Sequence, residues 1–221
     1  MAIKLVIFDL DGILINPKQE YLGAFQKLLE HHNVEVSQQD IEPFLGPPVL
    51  KVIQDLFKEY KIQAEPRQWV KFVDDQVTSL VSIQSIPVCH HSQEVLNQLR
   101  TKGLKLALLT NSDAKFTDAI LRAFDLIGFF NRIVPADGDY KDKVEACNAL
   151  IEEFKAQKEE TIYIGDAPWD VEVARKAGII SVLAFTECST IWPDEAEAIA
   201  SDSDYLIYDL LDLLEVVESV K

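Results

Sequence analysis

The chain has 221 residues, and its 37 Asp and Glu residues against 21 Lys and Arg residues give a formal net charge of −16. This balance argues against nucleic-acid binding, which relies on a basic surface that releases counterions, and against a basic membrane-binding face. A hydrophobic content of 48% excludes intrinsic disorder. The length predicts one domain, or one domain with a modest insertion.

The sequence predicts neither a targeting signal nor a cysteine motif. The apolar run at Leu5–Phe8 is too short for the core of a signal peptide, and no stretch reaches the ~20 apolar residues of a transmembrane helix. Three cysteines are odd in number and scattered, so we expect no disulfide framework and a cytoplasmic, reducing location. They are Cys89, Cys147 and Cys188. The pairs His31-His32 and His90-His91 lie beside no motif with zinc-ligand spacing, and we interpret them as solvent-facing or helix-end residues.

Strands and helices alternate along most of the chain. Short, mostly apolar runs without polar alternation predict buried strands at Leu5–Phe8, Leu104–Leu109, Arg132–Val134 (the weakest pattern), Thr161–Ile164, Ile179–Phe185 and Tyr205–Tyr208. Helical periodicity with capping signals falls at His91–Lys102, Asp113–Phe124, Asp142–Ala156, Trp169–Ala177 and Leu210–Val220. This alternation predicts an α/β fold with a doubly wound parallel sheet.

One region breaks the alternation. Between Pro17 and Ile86 the pattern is helical throughout, with predicted helices at Glu20–His32, Val49–Tyr60 and Pro66–Ile83. We interpret this region as an inserted helical subdomain. The predicted organisation is therefore a core of residues 1–16 and 87–221 with a helical cap at 17–86.

Two carboxylates follow the first predicted strand, where open α/β sheets place their ligand sites. Asp9 and Asp11 stand at i and i+2, which places both on the same side of an extended segment. They repel each other and require a cation or a shared proton, and Gly12 lets the backbone turn tightly beside them. The pair suits a metal-assisted nucleophile beside a general acid/base. A turn-forming Asp followed by a helix N-cap would give the same pattern.

Three further strand ends carry polar residues. Thr110–Ser112 offers a hydroxyl and backbone N–H groups that suit an anion, or a simple N-cap cluster. Lys141–Lys143 opens a helix with two lysines that could neutralise phosphate charge. Asp166 and Asp170 supply oxygen ligands for a hard cation, or a turn with a capping Asp. Because parallel strands end at one edge of a sheet, these groups are expected to share a cleft.

These four segments resemble the motifs of the haloacid dehalogenase-like hydrolase superfamily, and the resemblance covers nearly the whole chain. Asp9-Leu10-Asp11-Gly12 is similar to the first motif and Leu109-Thr110-Asn111 to the second. Lys141 is similar to the third motif, and Gly165-Asp166 with Asp170 to the fourth. The helical insertion resembles the small cap of the phosphoglycolate phosphatase-like branch.

The resemblance implies a Mg²⁺-dependent phosphatase that acts on a small phosphorylated metabolite. Asp9 would be the nucleophile that forms an aspartyl-phosphate, and Asp11 the general acid/base. The phosphate-binding residues would be Gly12, Thr110, Asn111, Lys141 and Lys143. The Mg²⁺ ligands would be Asp9, the backbone carbonyl of Asp11, and Asp166, with Asp170 supporting. We expect no nucleic-acid or membrane partner, and a monomer or small homo-oligomer.

The chain departs from the family pattern in two motifs. Ile13 stands where the first motif usually has a Thr hydroxyl, and the third motif lacks its usual prolines. Lys141 lies 25 residues before Asp166 and Lys143 lies 23 before it, so either lysine fits the spacing.

Three alternative functions stay open at this point. A sugar phosphomutase would use the same motifs, and a non-catalytic phospho-ligand binding protein would tolerate the departures. A two-component receiver domain combines similar residue types but has no use for a helical insertion of this size. The second carboxylate, Asp11, argues against a dehalogenase, whose leaving group needs no proton.

Overall fold

The protein is described by a computed structural model that covers residues 2–45, 47–81, 86–189 and 202–220. The chain forms two compact units, one made of Met1–Asn16 and Val88–Lys221 and the other of Pro17–Pro87. Within the described ranges, no helix combines the length and apolar character needed to cross a bilayer.

The first unit is built on a parallel sheet of six strands in the order β3-β2-β1-β4-β5-β6. The strands are β1 (Leu5–Phe8), β2 (Lys105–Leu109), β3 (Arg132–Val134), β4 (Thr161–Gly165), β5 (Ile180–Ala184) and β6 (Tyr205–Ile207). Residues of β1 and β4 are buried throughout, as expected for a sheet covered on both faces. The prediction of a doubly wound α/β fold is confirmed, including its weakest strand, β3.

Helices alternate with these strands along the first unit. They are α5 (Ser92–Thr101), α6 (Ala114–Ala123), α7 (Lys143–Glu153), α8 (Pro168–Ala177) and α9 (Asp212–Ser219). Asp113 and Asp142 cap α6 and α7, each accepting a hydrogen bond from the backbone N–H three residues on. Gly178 ends α8 in the left-handed conformation that glycine adopts without steric cost.

The second unit is helical, with α1 (Lys18–His31), α2 (Gln38–Ile41), α3 (Val49–Glu59) and α4 (Arg67–Val81). Helix α1 packs against α4. The short helix α2 lies in a stretch where no helix was predicted. Its four residues are too few for a helical period to show in the sequence.

One face of the sheet packs against α7 and α8. Buried Leu5 and Ile7 of β1 and Ala107 and Leu109 of β2 contribute to this core, and Tyr163 of β4 lies in the same cluster. Small residues of α7 and α8, including Ala146, Cys147, Ala174 and Ala177, let both helices approach the strands closely. This packing fixes α7 and α8 relative to the strand ends that carry the polar residues.

A disulfide joins Cys89 to Cys188, 99 residues apart in the sequence, and Cys147 is free and buried. The prediction of no disulfide framework is therefore wrong. Cys89 lies just before α5 and Cys188 in the loop after β5, and only the tertiary fold brings them together. The argument from cysteine content for a reducing compartment loses its premise.

Removal of this disulfide should lower the free energy of unfolding by about 3–5 kcal/mol, because the cross-link closes a long loop in the unfolded chain. We expect the double change Cys89→Ser with Cys188→Ser, or the addition of a reductant, to shift urea unfolding to lower denaturant. Cys147→Ala is the control, since it removes a buried thiol but no cross-link. If reductant leaves the transition of the unchanged protein in place, the bridge contributes nothing to stability.

Candidate active site

The candidate site lies at the point where the strand order reverses, between β1 and β4. Phe8 of β1 is in register with Leu108 of β2 and with Ile164 of β4. Asp9 therefore extends beyond the sheet next to Gly165 and Leu109, and Asp166 and Thr110 follow one residue later. Such a switch point leaves a crevice outside the carboxyl ends of the strands, where ligands bind in open α/β sheets.

Asp9 is buried at the end of β1, and both of its carboxylate oxygens have partners. Oδ1 accepts a hydrogen bond from the Leu10 N–H at 2.9 Å, and Oδ2 accepts one from Lys143 Nζ at 3.0 Å. Burial raises the pKa of Asp9 well above its usual range, the Lys143 ammonium opposes this shift, and Asp170 adds to it. The site thus holds a carboxylate that needs positive charge nearby in order to stay ionised.

Lys143 supplies that charge. Its Nζ also lies 3.2 Å from Asp170 Oδ1 and donates to the Tyr163 hydroxyl at 2.9 Å, and its side chain is only 10% exposed. Burial by itself lowers the pKa of Lys143, but the Asp170 and Asp9 carboxylates outweigh burial and raise it. The ammonium is therefore a permanent charge among the carboxylates.

Lys141, which the family resemblance places in the third motif, lies elsewhere. It is exposed, and its backbone N–H donates to the Glu145 carboxylate at 2.7 Å. The reason is the position of the helix start: Asp142 is the N-cap, so α7 begins at Lys143, which projects toward β1 and β4. The geometry favours Lys143 over Lys141 as the lysine of the third motif.

Asp166 and Asp170 are buried at the end of β4 and in the first turn of α8. Asp170 Oδ1 accepts from the Tyr163 hydroxyl at 3.1 Å, and Oδ2 accepts from the Ala167 N–H at 3.3 Å. A Cβ at Gly12 would lie 2.1 Å from Asp166 Oδ2, and a Cβ at Gly165 would lie 2.3 Å from Asp170 Cγ. Glycine at both positions is therefore required for the two carboxylates to reach the crevice.

Three carboxylates of this site could share one cation. Ligand oxygens of Asp9, Asp166 and Asp170 all lie within 4.8 Å of one another, and all three residues are buried. One lysine cannot balance three buried carboxylates, whereas a divalent ion with oxygen ligands would. The donor set fits a hard cation such as Mg²⁺ and contains none of the nitrogen or sulfur ligands that softer metals prefer.

Asp11 is held by a residue that the sequence reasoning did not select as a site residue. Its Oδ2 accepts a hydrogen bond from the Ser112 hydroxyl at 2.8 Å, and its Oδ1 is buried with no hydrogen-bond partner among the described residues. Burial raises the pKa of Asp11 to about 6, and the Ser112 hydrogen bond limits this rise. Ile13, which stands where the first motif usually has a Thr, is fully buried and offers no hydroxyl. The hydroxyl beside Asp11 comes from Ser112 instead.

Ser112→Ala should reduce kcat/KM about tenfold for the phosphatase activity that the family resemblance implies. This is about the usual cost of one hydrogen bond to a charged group. Because this bond stabilises the Asp11 carboxylate, its loss raises the pKa of Asp11 further. With Asp11 as the general acid that the family resemblance implies, the high-pH limb of the activity profile should move to higher pH. Ser181→Ala is a matched control: Ser181 is also buried and donates to the Asp204 carboxylate at 2.8 Å. Equal losses in both variants would show a general structural effect instead of a role for Ser112 at Asp11.

The predicted phosphate-binding residues of the second motif differ in exposure. Thr110 is buried, its N–H donates to the Val134 carbonyl at 3.1 Å, and its Oγ1 accepts from the Ser112 N–H at 3.0 Å. Asn111 is exposed. Gly12 has a φ of +77° and donates its N–H to the Ile15 carbonyl at 2.8 Å.

Tyr163 is a second residue that the sequence reasoning missed. Its hydroxyl accepts from Lys143 and donates to Asp170, and burial raises the pKa of the phenol well above its usual range. The signal in the sequence was the Tyr163 hydroxyl between the aliphatic residues Ile162 and Ile164, at the centre of β4. The neighbouring Cys147 thiol is buried, which raises its pKa to about 12 and leaves it protonated.

Comparison with known proteins places the chain in a family. It is 26% identical to the pyrophosphatase PpaX of Bacillus mycoides, over 100% of this chain and 99% of that protein. It is 27% identical to the phosphoglycolate phosphatase of Aquifex aeolicus, over 82% of this chain and 84% of that protein. A haloacid dehalogenase-like family hydrolase from Streptococcus pneumoniae, 18% identical, superposes with a TM-score of 0.80 over 97% of this chain and 98% of its own. The model of the haloacid dehalogenase-like hydrolase family matches residues 6–184, so the chain belongs to that family.

Proposed function

We propose that the chain is a Mg²⁺-dependent phosphatase that hydrolyses a small phosphate ester through an aspartyl-phosphate on Asp9. The observation that carries the proposal is the convergence of Asp9, Lys143 and a second pair of buried carboxylates at the switch point of the sheet. Relatives named as a phosphatase and a pyrophosphatase, which match 82% and 100% of this chain, support the same reaction class.

Asp9, Asp166 and Asp170 would hold the Mg²⁺ ion, together with the backbone carbonyl of Asp11 that the family resemblance implies. When bound, the ion would offset the repulsion between these carboxylates and an incoming phosphate and would draw charge from the phosphoryl oxygens. Lys143 would contribute a fixed positive charge on the α7 side of Asp9, where it already contacts Oδ2.

In the first step, an Asp9 oxygen attacks phosphorus, the bond from phosphorus to the ester oxygen breaks, and Asp11 donates a proton to that oxygen. The raised pKa of Asp11, about 6, leaves a protonated fraction available near neutral pH. Lys143 and the Leu10 N–H keep the Asp9 carboxylate oriented and ionised for the attack.

In the second step, Asp11 takes a proton from a water molecule that attacks the aspartyl-phosphate. The bond between phosphorus and the Asp9 oxygen breaks, inorganic phosphate leaves, and the Asp9 carboxylate is restored. Asp11 thus changes from acid to base within one turnover, and the Ser112 hydroxyl holds its carboxylate in place for both steps.

The test is a screen of phosphate esters, including 2-phosphoglycolate and sugar phosphates, and of the anhydride pyrophosphate, which yields two phosphates, with Mg²⁺ and with EDTA. We expect one inorganic phosphate per ester hydrolysed in Mg²⁺ and no release in EDTA. Isomerised sugar phosphate without released phosphate would instead identify a phosphomutase. Binding of phosphate esters without turnover of any would contradict the proposal and favour a binding protein.

A further inference from the structure

A second group of metal-ligating side chains lies outside the candidate active site. We propose that His90, His91 and Asp209 form a binding site for a divalent transition-metal ion of the Zn²⁺, Ni²⁺ or Cu²⁺ class. Their ligand atoms all lie within 4.8 Å of one another. This site is independent of the phosphatase proposal, because it uses none of the residues that carry that chemistry.

The two imidazoles and the carboxylate are already in contact. His91 Nδ1 lies 2.9 Å from Asp209 Oδ1 and 3.0 Å from Oδ2, and the His90 and His91 rings lie with their centroids 3.6 Å apart. The His91 side chain is 24% exposed and that of Asp209 is 42% exposed. An ion can therefore reach the group from solvent, and the exposed His90 ring can adjust to complete the coordination.

The start of α5, a backbone hydrogen bond to Asp209 and the disulfide hold this arrangement in place. His91 directly precedes α5 and has a φ of +61°, a left-handed conformation that is uncommon in residues other than glycine. Asp209 follows β6, and its Oδ1 also accepts from the Leu211 N–H at 2.8 Å. The Cys89–Cys188 disulfide ties the residue before His90 to the loop after β5.

The local charge also favours a cation. Glu187, on the same loop as Cys188, accepts a hydrogen bond from the His90 N–H at 2.7 Å, so a second carboxylate lies beside the group. Two imidazole nitrogens with one carboxylate oxygen are ligands that suit Zn²⁺, Ni²⁺ and Cu²⁺, whereas Mg²⁺ prefers oxygen ligands alone. The two candidate metal sites of this chain therefore differ in metal class.

A simple ion pair between His91 and Asp209 would account for only part of the geometry. It would explain the contacts of Nδ1 with the carboxylate but not the His90 ring packed against that of His91. A shared ion accounts for both features, since it requires both rings and the carboxylate on the same side of the α5 start.

The test is Zn²⁺ titration of the full oxidised chain by calorimetry, without reductant, so that Cys89 and Cys188 stay bridged and cannot compete for Zn²⁺. Excess Mg²⁺ and an Asp166→Asn background keep Zn²⁺ out of the acidic site. We expect one Zn²⁺ per chain. His90→Ala and Asp209→Asn should each weaken binding about tenfold or more, the order of loss seen when groups that support a metal are removed. His31→Ala is the matched control, because it removes an exposed histidine from the other adjacent pair.

Two further measurements keep the result interpretable. Circular dichroism should show unchanged folding in each variant, and His91→Asn, which keeps a residue that tolerates positive φ, should lose Zn²⁺ while remaining folded. Co²⁺ added in place of Zn²⁺ should give visible absorption bands that are lost in the same variants. No Zn²⁺ binding, or binding unchanged in His90→Ala and Asp209→Asn, would overturn the proposal and leave an ion pair only.

Discussion

Asp9→Asn should abolish Mg²⁺-dependent phosphate release, with a loss of at least about a thousandfold, equivalent to roughly 4 kcal/mol of transition-state stabilisation. The amide keeps the size of the carboxylate but is no nucleophile at phosphorus, so no aspartyl-phosphate can form. Steady-state phosphate release measures the loss. Mass spectrometry of protein quenched during turnover should find a phosphoryl group on Asp9 in the unchanged chain alone.

The same substitution should leave the fold intact. A buried carboxyl whose pKa is raised binds more protons in the folded state, so it costs stability as pH rises from its unfolded pKa through its folded one. Asn removes this cost, and Lys143 keeps Asp170 as a partner. We therefore expect urea unfolding of Asp9→Asn in metal-free buffer at pH 7 to show stability equal to or above that of the unchanged chain.

Two companion variants separate chemistry from charge. Asp9→Glu keeps the negative charge but displaces it by one methylene, and a displacement on this scale costs about a hundredfold. Asp118→Asn, on the exposed face of α6 where Asp118 pairs with Arg122, should change the rate less than twofold. Phosphate release by Asp9→Asn at the rate of Asp118→Asn would rule out Asp9 as the nucleophile.

The strands and the order of the polar segments follow from local patterns. A run such as Thr161–Ile164 has no charged side chain and no polar alternation because both faces of its strand are buried, and this is visible within four residues. The strand end that follows it then indicates where Asp166 lies, because parallel strands share one carboxyl edge. For the same reason Asp9 and Thr110 could be placed at that edge without knowledge of any tertiary contact.

Contacts between distant residues were not accessible in this way. Cys89 and Cys188 lie 99 residues apart, and His91 and Asp209 lie 118 apart, with no periodicity that connects them. Ser112 reaches Asp11 only because β2 lies beside β1. Each of these pairings depends on the strand order and on the lengths of the connecting loops, which residue patterns do not determine.

The choice between Lys141 and Lys143 depends partly on local patterns and partly on tertiary contacts. Spacing to Asp166 allowed either lysine. Asp142 is the N-cap of α7, and its side chain accepts from the Glu145 N–H at 2.9 Å, so the lysine after the cap lies in the first turn of the helix. Attention to the capping residue would have favoured Lys143 from the sequence alone.

Lys143→Met should lower kcat/KM about a hundredfold or more, whereas Lys141→Met should change it less than twofold. Methionine has a similar length but no charge, so the buried Lys143 variant loses the ammonium that contacts Asp9 at 3.0 Å and Asp170 at 3.2 Å. Lys141 is exposed, and its loss removes only a surface charge. Both variants lower the net charge by one unit. Each is therefore a control for the effect of net charge in the other.

The stabilities of the two variants, Lys143→Met and Lys141→Met, should differ as well. Breaking a buried ion pair by removing one partner costs about 3–5 kcal/mol, so Lys143→Met should unfold at lower urea in metal-free buffer, and Lys141→Met should not. Mg²⁺ should restore part of the loss in Lys143→Met, because a cation at Asp9, Asp166 and Asp170 offsets the charge that the lysine no longer balances. Full activity in Lys143→Met, or a large loss in Lys141→Met, would reverse the assignment of the third-motif lysine.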